Sequence, residues 1–140
     1  MKQIYMLDTN ICSYIMRKHP IEVLDRLHSL AGKKHRIVIS AITYSELRYG
    51  AIGKKASPKH NHIVDEFMQR VDSVIPWDKV SVEHSSDIKK HLSDRGTPIS
   101  NNDIAIAGNA IANDCILVTN NSSEFSRIPE LKLENWVNHN

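Results

Sequence analysis

Asp8, Glu46, Asp103 and Asn121 are lone polar residues, each placed where a regular element begins or on a face that ought to be apolar. Brought into one cleft, their carboxylates cannot all stay ionised without a counter-ion. Ligation by oxygen alone, with some water retained, suits Mg2+ or Mn2+. Such ions activate water and stabilise the in-line transition state of phosphodiester cleavage. Zinc is disfavoured, because His60 and His62 are two apart, no HExxH occurs, and the eight histidines are scattered.

Each residue also has a plainer explanation. Asp8 closes the apolar run Ile4-Tyr5-Met6-Leu7 and opens Asp8-Thr9-Asn10, a junction where an aspartate often only caps a helix. Asn10 is able to cap instead, which would free the Asp8 carboxylate. At about 100° per residue, Glu46 falls about 40° from Ile42, inside the arc bounded by Ile42 and Leu47. A charge there is costly unless compensated, or unless the long side chain reaches water. Asp103 heads the stripe Ile104, Ala107, Ile111, with Gly108 and Ala110 allowing tight packing. A helix dipole favours an acid in that first turn, but two asparagines just upstream already offer caps. Asn121, in Thr119-Asn120-Asn121, is either a turn residue or an amide able to hold a metal-bound water or a phosphate.

The elements that must position these residues follow from apolar runs and stop signals. Strands are expected at Ile4–Leu7, at 36–39 and 115–118, with short ones at 73–75 and 131–133. Asn10 is expected to cap a helix ending near Arg17. Pro20 opens a second helix, with Ile21, Leu24, Leu27 and Leu30 on its buried face. Ser40 precedes a third, over 41–52, that Gly53 closes. Pro58 opens a helix to about Asp72, and a polar helix runs from about Val80 to Gly96, with Pro98 beyond. Asn101 or Asn102 caps the helix carrying Asp103, which ends near Asn113. Short apolar strands alternating with helices imply an α/β fold whose central, mainly parallel sheet is flanked by helices on both faces. Polar sites in such sheets gather beyond the carboxyl ends of the strands, where Asp8 and Asn121 are both expected.

The 140 residues suit one domain (1–140), with no linker or repeat to divide it. Hydrophobic content of 41% and charged content of 24% are those of a soluble globular protein. No apolar stretch approaches a membrane span, and Met1-Lys2-Gln3 runs straight into a strand with no secretory signal. Cys12 and Cys115 lack metal-type spacing and suit reduced core thiols in a cytoplasmic protein. Net charge is only +2, but the cations cluster at Lys33-Lys34-His35-Arg36, Lys54-Lys55, Lys59 and Lys89-Lys90. Such clusters are either solvated surface or guides for a phosphate backbone.

The order and spacing of short motifs over almost the whole chain resemble the VapC-type toxins of the PIN-domain endoribonuclease family. They are Tyr5-Met6-Leu7-Asp8-Thr9-Asn10-Ile11, Ser45-Glu46-Leu47 with Tyr49-Gly50, and Gly96-Thr97-Pro98-Ile99. Asn102-Asp103 with Ile106-Ala107 follows, then Leu117-Val118-Thr119-Asn120-Asn121 with Glu124-Phe125, and Leu133-Glu134-Asn135-Trp136. The resemblance implies a Mg2+-dependent cutter of single-stranded RNA, with Mn2+ an alternative ion. It makes Asp8 and Asp103 the principal metal ligands, and Glu46 a third ligand or the group that orients the attacking water. Asn121 matches a fourth position, often an acid in the family, and with Thr9 would contact the substrate. Ser100 stands where many relatives have glycine. The resemblance further implies a homodimer, a VapB-type antitoxin whose segment fills the groove, and operator DNA bound only through that antitoxin. Toxins of this kind tend to cut tRNA at the anticodon loop and so inhibit translation.

Other classes fit less well. A PIN nuclease of RNA maturation, or an RNA-binding module without turnover, would share the motifs. A phosphatase whose second aspartate follows two residues after the first wants it where Asn10 stands. A phosphoryl receiver wants paired acids where Leu7 precedes Asp8.

Overall fold

A computed structural model describes residues 2–52 and 58–137; the expected stop at Gly53 and the Lys54-Lys55 pair lie outside them. Five strands form one parallel sheet: β1 (Ile4–Leu7), β2 (Arg36–Ser40), β3 (Ser73–Ile75), β4 (Ile116–Val118) and β5 (Lys132–Glu134), in the order β3-β2-β1-β4-β5. The helices are α1 (Thr9–Arg17), α2 (Ile21–Gly32), α3 (Ala41–Ile52), α4 (Pro58–Met68), α5 (Lys79–Asp94), α6 (Asn101–Ala112) and α7 (Ser122–Phe125). The sheet is therefore wholly rather than mainly parallel, and helices cover both its faces.

Strand alternation divides the core. Tyr5, Leu7, Ile37 and Ile39 face one layer, packed with Ile11 and Ile15 of α1, Val23 and Leu27 of α2, and Phe67 of α4. Met6, Val38 and Leu117 face the other, with Ile88 and Leu92 of α5, Ile104 and Ala107 of α6, and Phe125. Strands buried on both sides read as unbroken apolar runs. Among the described residues no helix is long and apolar enough to cross a membrane. Cys12 and Cys115 are both free and buried.

Several helix limits differ from those expected. The α1 cap is Asp8 itself, whose Oδ1 accepts the Ile11 N–H at 2.9 Å, so Asn10 is not the cap. The α6 cap is Ser100, not Asn101 or Asn102. α4 ends at Met68 rather than near Asp72, because Asp72 leaves to pair its carboxylate and its N–H with Ile37 of β2. α7 was not expected at all.

The chain reverses direction across the sheet at β1, which pairs with β2 on one side and β4 on the other. A crevice beyond the carboxyl ends belongs at such a reversal. α6 reaches it because α5 and α6 pack closely. A Cβ on Gly108 would stand 2.1 Å from Ser85 Oγ and 2.8–2.9 Å from the Ser85 nitrogen and Ser81 carbonyl oxygen. Gly108→Ala therefore forces the two helices apart. The expected cost is roughly 1–3 kcal/mol, read as a lower urea midpoint at unchanged m-value; an unchanged midpoint would contradict this packing.

Candidate active site

Four segments converge beyond the carboxyl ends of the strands. β1 ends at Leu7, so Asp8 emerges at the sheet edge, and its N–H is held by the Val118 carbonyl of β4 at 3.0 Å. The carboxylate is buried, 5% exposed. It spends one oxygen on the Ile11 N–H and accepts a hydrogen bond from Thr119. Thr119 is itself fully buried and accepts the Asn121 N–H at 2.9 Å. A threonine after β4 thus ties the Asn121 turn to the Asp8 carboxylate.

Glu46 lies on α3, half-buried, and accepts a hydrogen bond from Thr9 Oγ1 at 2.8 Å. The same hydroxyl lies 3.4 Å from Thr43 Oγ1. α3 has no single apolar stripe because it straddles the edge of the sheet. Ile42 packs on one core layer, while Leu47 and Tyr44 pack on the other. The arc between them, which carries Glu46, faces the cleft rather than either layer.

Asp103 occupies the first turn of α6, where Ser100 Oγ accepts its N–H at 3.2 Å and also hydrogen-bonds its carboxylate. Asn121 is at the N-cap position of α7 but makes no side-chain cap. Its amide donates to Glu124 Oε2 at 3.0 Å instead.

Electrostatics show that these side chains share one space. Burial pushes the Asp8 carboxyl up from the ordinary 3.8 to about 6; the hydrogen bonds from Thr119 and Ile11 oppose the rise, and the charges of Asp103 and Glu46 add to it. Asp103 is raised too, first by burial and then by Glu124 and Glu46, against its hydrogen bond with Ser100. Asp8, Glu46, Asp103 and Asn121 are therefore brought together, and Thr9 with them. Glu124 is a further carboxylate of the cluster that the sequence reading left outside the site. Its signal was the Asn121-x-x-Glu124 spacing, the pattern by which a helix start holds an acid at its third residue.

Among the described residues, no positive side chain figures among the groups acting on Asp8 or Asp103. Among the described residues no group of three or more His, Cys, Asp or Glu stands in a geometry that could hold a metal ion. The acids are close enough to repel one another but do not close a finished cage. That fits a hard ion which keeps several waters and uses one or two carboxylates, and it does not fit an all-protein cage. Beside Glu46 a cleft of about 240 Å3 runs between α1, α3 and α4, lined by Thr9, Ser13, Met16, Leu47, His60 and Ile63 among others.

One basic cluster lies elsewhere. Lys33-Lys34-His35-Arg36 leads into β2, so it sits at the amino ends of the strands, opposite the acids. It cannot line the acidic cleft, as a guide to that cleft would need to.

Residues 5–131 match the model of the PIN domain family. The chain is 42% identical, over 95% of its length and 98% of the relative's, to Ribonuclease VapC2 of Rickettsia felis. It is 35% identical to the tRNA(fMet)-specific endonuclease VapC of Shigella flexneri, over 94% of this chain and 97% of that one. A crystal structure of VapBC2 from Rickettsia felis, bound to a DNA fragment from their promoter, superposes with a TM-score of 0.89 at 40% identity, covering 96% of this chain and all of that one.

Proposed function

The chain belongs to the VapC-type branch of the PIN-domain family, and from that premise we infer that it is a divalent-cation-dependent endoribonuclease, the toxin of a toxin–antitoxin pair. One observation carries the reading. Asp8 and Asp103, each raised first by burial and then by its acidic neighbours, share a cleft in which, among the described residues, no cationic side chain acts on either. A buried cluster of one sign calls for a cation that binds there.

Asp8 and Asp103 would hold Mg2+ or Mn2+. Bound there, the ion supplies an activated water and neutralises charge at the scissile phosphate. Glu46 stands ready to ligate or to accept a proton from the attacking water, and Thr9 fixes its carboxylate by their 2.8 Å hydrogen bond. The Asn121 amide is held by Glu124 at 3.0 Å, which leaves its oxygen to position a water or a phosphate. Thr119 keeps Asp8 aimed into the cleft.

tRNA is the proposed substrate, cut at the anticodon loop so that translation stops; the name of the Shigella relative supports tRNA as the class of substrate. A VapB-type antitoxin is the proposed partner, with operator DNA reached through it, and the VapBC2–promoter complex supports both. The cleft between α1, α3 and α4 offers an antitoxin segment a seat beside Glu46.

Sequencing RNA 5′ ends after brief induction tests activity and substrate together. Wild-type protein should create new ends at fixed positions in few RNAs, and Asp8→Ala should create none. The same ends in both would remove this reading.

A further inference from the structure

The amino ends of the strands carry a pole opposite in sign to the cleft. There Lys34, Arg36 and Arg70 line a cavity of about 400 Å3, with His28 held beside it by Arg70. The Lys2 ammonium donates to the Lys33 carbonyl at the same end, adding two more cations. Arg36 is steadied by Ser73 Oγ at 2.7 Å. Arg70 donates to His28 Nε2 at 2.8 Å, an arrangement in which the imidazole accepts and keeps its other N–H as a donor. Asp72, also at the cavity, already engages the Ile37 N–H at 2.8 Å. The ion pairs among the described residues join Arg26 to Glu134, Arg48 to Asp65, His62 to Glu66, Lys90 to Asp94 and Lys132 to Asp114; they take none of these cations.

A net charge of only +2 therefore hides a molecule with a negative pole and a positive one. The span of β1, four residues, separates them by about 13 Å. Arginine forks and lysine ammoniums outside any ion pair are the usual equipment for phosphate, and the cations here outnumber the one carboxylate at the cavity, Asp72. A ligand that touches this pole while its reactive segment lies in the cleft gains effective concentration there without new contacts at the cut.

We propose that this basic end is a second nucleic-acid site, holding the phosphate backbone of a folded RNA at a place remote from the bond that is cut. It rests on the ribonuclease reading for the identity of the ligand. A folded RNA has backbone to offer at both poles; at about 3.4 Å per stacked nucleotide, a trinucleotide filling the cleft is too short to reach the second.

The test uses the full chain with Lys34→Glu and Arg70→Glu together, after checking that its thermal unfolding matches wild type. Binding is measured in an Asp8→Asn background, with bulk tRNA and with a trinucleotide, across a range of salt. The expected result is at least about tenfold weaker tRNA binding, a log–log salt slope shallower by about 1–2, and unchanged trinucleotide binding. In the cleaving protein KM for folded RNA should rise and kcat should not. Unchanged tRNA affinity and slope would overturn the proposal. So would equal losses on both RNAs, or a loss confined to operator DNA binding by the antitoxin complex. Because binding is read without cleavage, a protein that cuts nothing removes the ribonuclease reading but leaves this site decided. Should the paired substitution unfold the chain, Lys34→Ala alone, with a slope shallower by about 0.7, decides the same question.

Discussion

Asp8→Asn protein is expected to be more stable than wild type at neutral pH and to cut RNA far more slowly. Asparagine caps a helix as well as aspartate does, so the Ile11 N–H keeps its partner. What is lost is a charge that the fold resists. The interval from 3.8 to about 6 is about two pH units, and at about 1.4 kcal/mol per unit the ionised Asp8 costs the fold about 3 kcal/mol. The sign follows from proton counting. Below the unfolded value both states are protonated and the penalty is absent. As pH rises, the unfolded chain ionises first while the folded one resists until about 6, so stability falls through that window and stays lower above it. The buried amide keeps part of the desolvation cost, leaving a gain of about 2 kcal/mol. Urea midpoints should therefore separate at neutral pH and converge near pH 3. Equal midpoints at both would contradict the burial and crowding assigned to Asp8. Cleavage should drop by about 10²–10³-fold or more, the usual loss on removing one group that stabilises reacting charge.

The second large effect is stabilisation by the cation itself. Mg2+ at a hundred times its dissociation constant should stabilise wild-type protein by about 2.7 kcal/mol, through binding to the folded state alone. NaCl at matched ionic strength should give far less, since screening acts weakly on buried groups. Asp8→Asn and Asp103→Asn should each blunt the Mg2+ response. Thermal unfolding with and without Mg2+ reads all of this. An undiminished response in the double variant would place the ion elsewhere.

Strands and acids were the most legible parts of the sequence, for a physical reason. A parallel strand buried on both faces must be apolar throughout, so the aspartate that ends Ile4–Leu7 stands out at the sheet edge. Glu46 was legible as an acid on an apolar arc, although its cause is the straddling of two core layers by α3 and not one amphipathic stripe. Caps were misread because several good capping residues stood side by side. Asp8 won over Asn10, and Ser100 over the two asparagines, since the choice depends on where the backbone turns and not on residue type. The Ser100 hydroxyl serves both the N–H and the carboxylate of Asp103. Glu124 was overlooked because α7 has four residues, too few to show any period. The place of the basic run was available in principle. In a parallel sheet, residues that lead into strands lie at the end opposite those that follow them, and Lys33-Lys34-His35-Arg36 leads into β2.

The most direct test strips the purified wild-type protein with a chelator and mixes it with tRNA, then titrates Mg2+ or Mn2+ back. Cleavage should be absent at first and return with the ion for wild type, but not for Asp8→Ala. Undiminished cutting by the stripped protein or by Asp8→Ala would contradict an acidic cluster that works only around a bound cation.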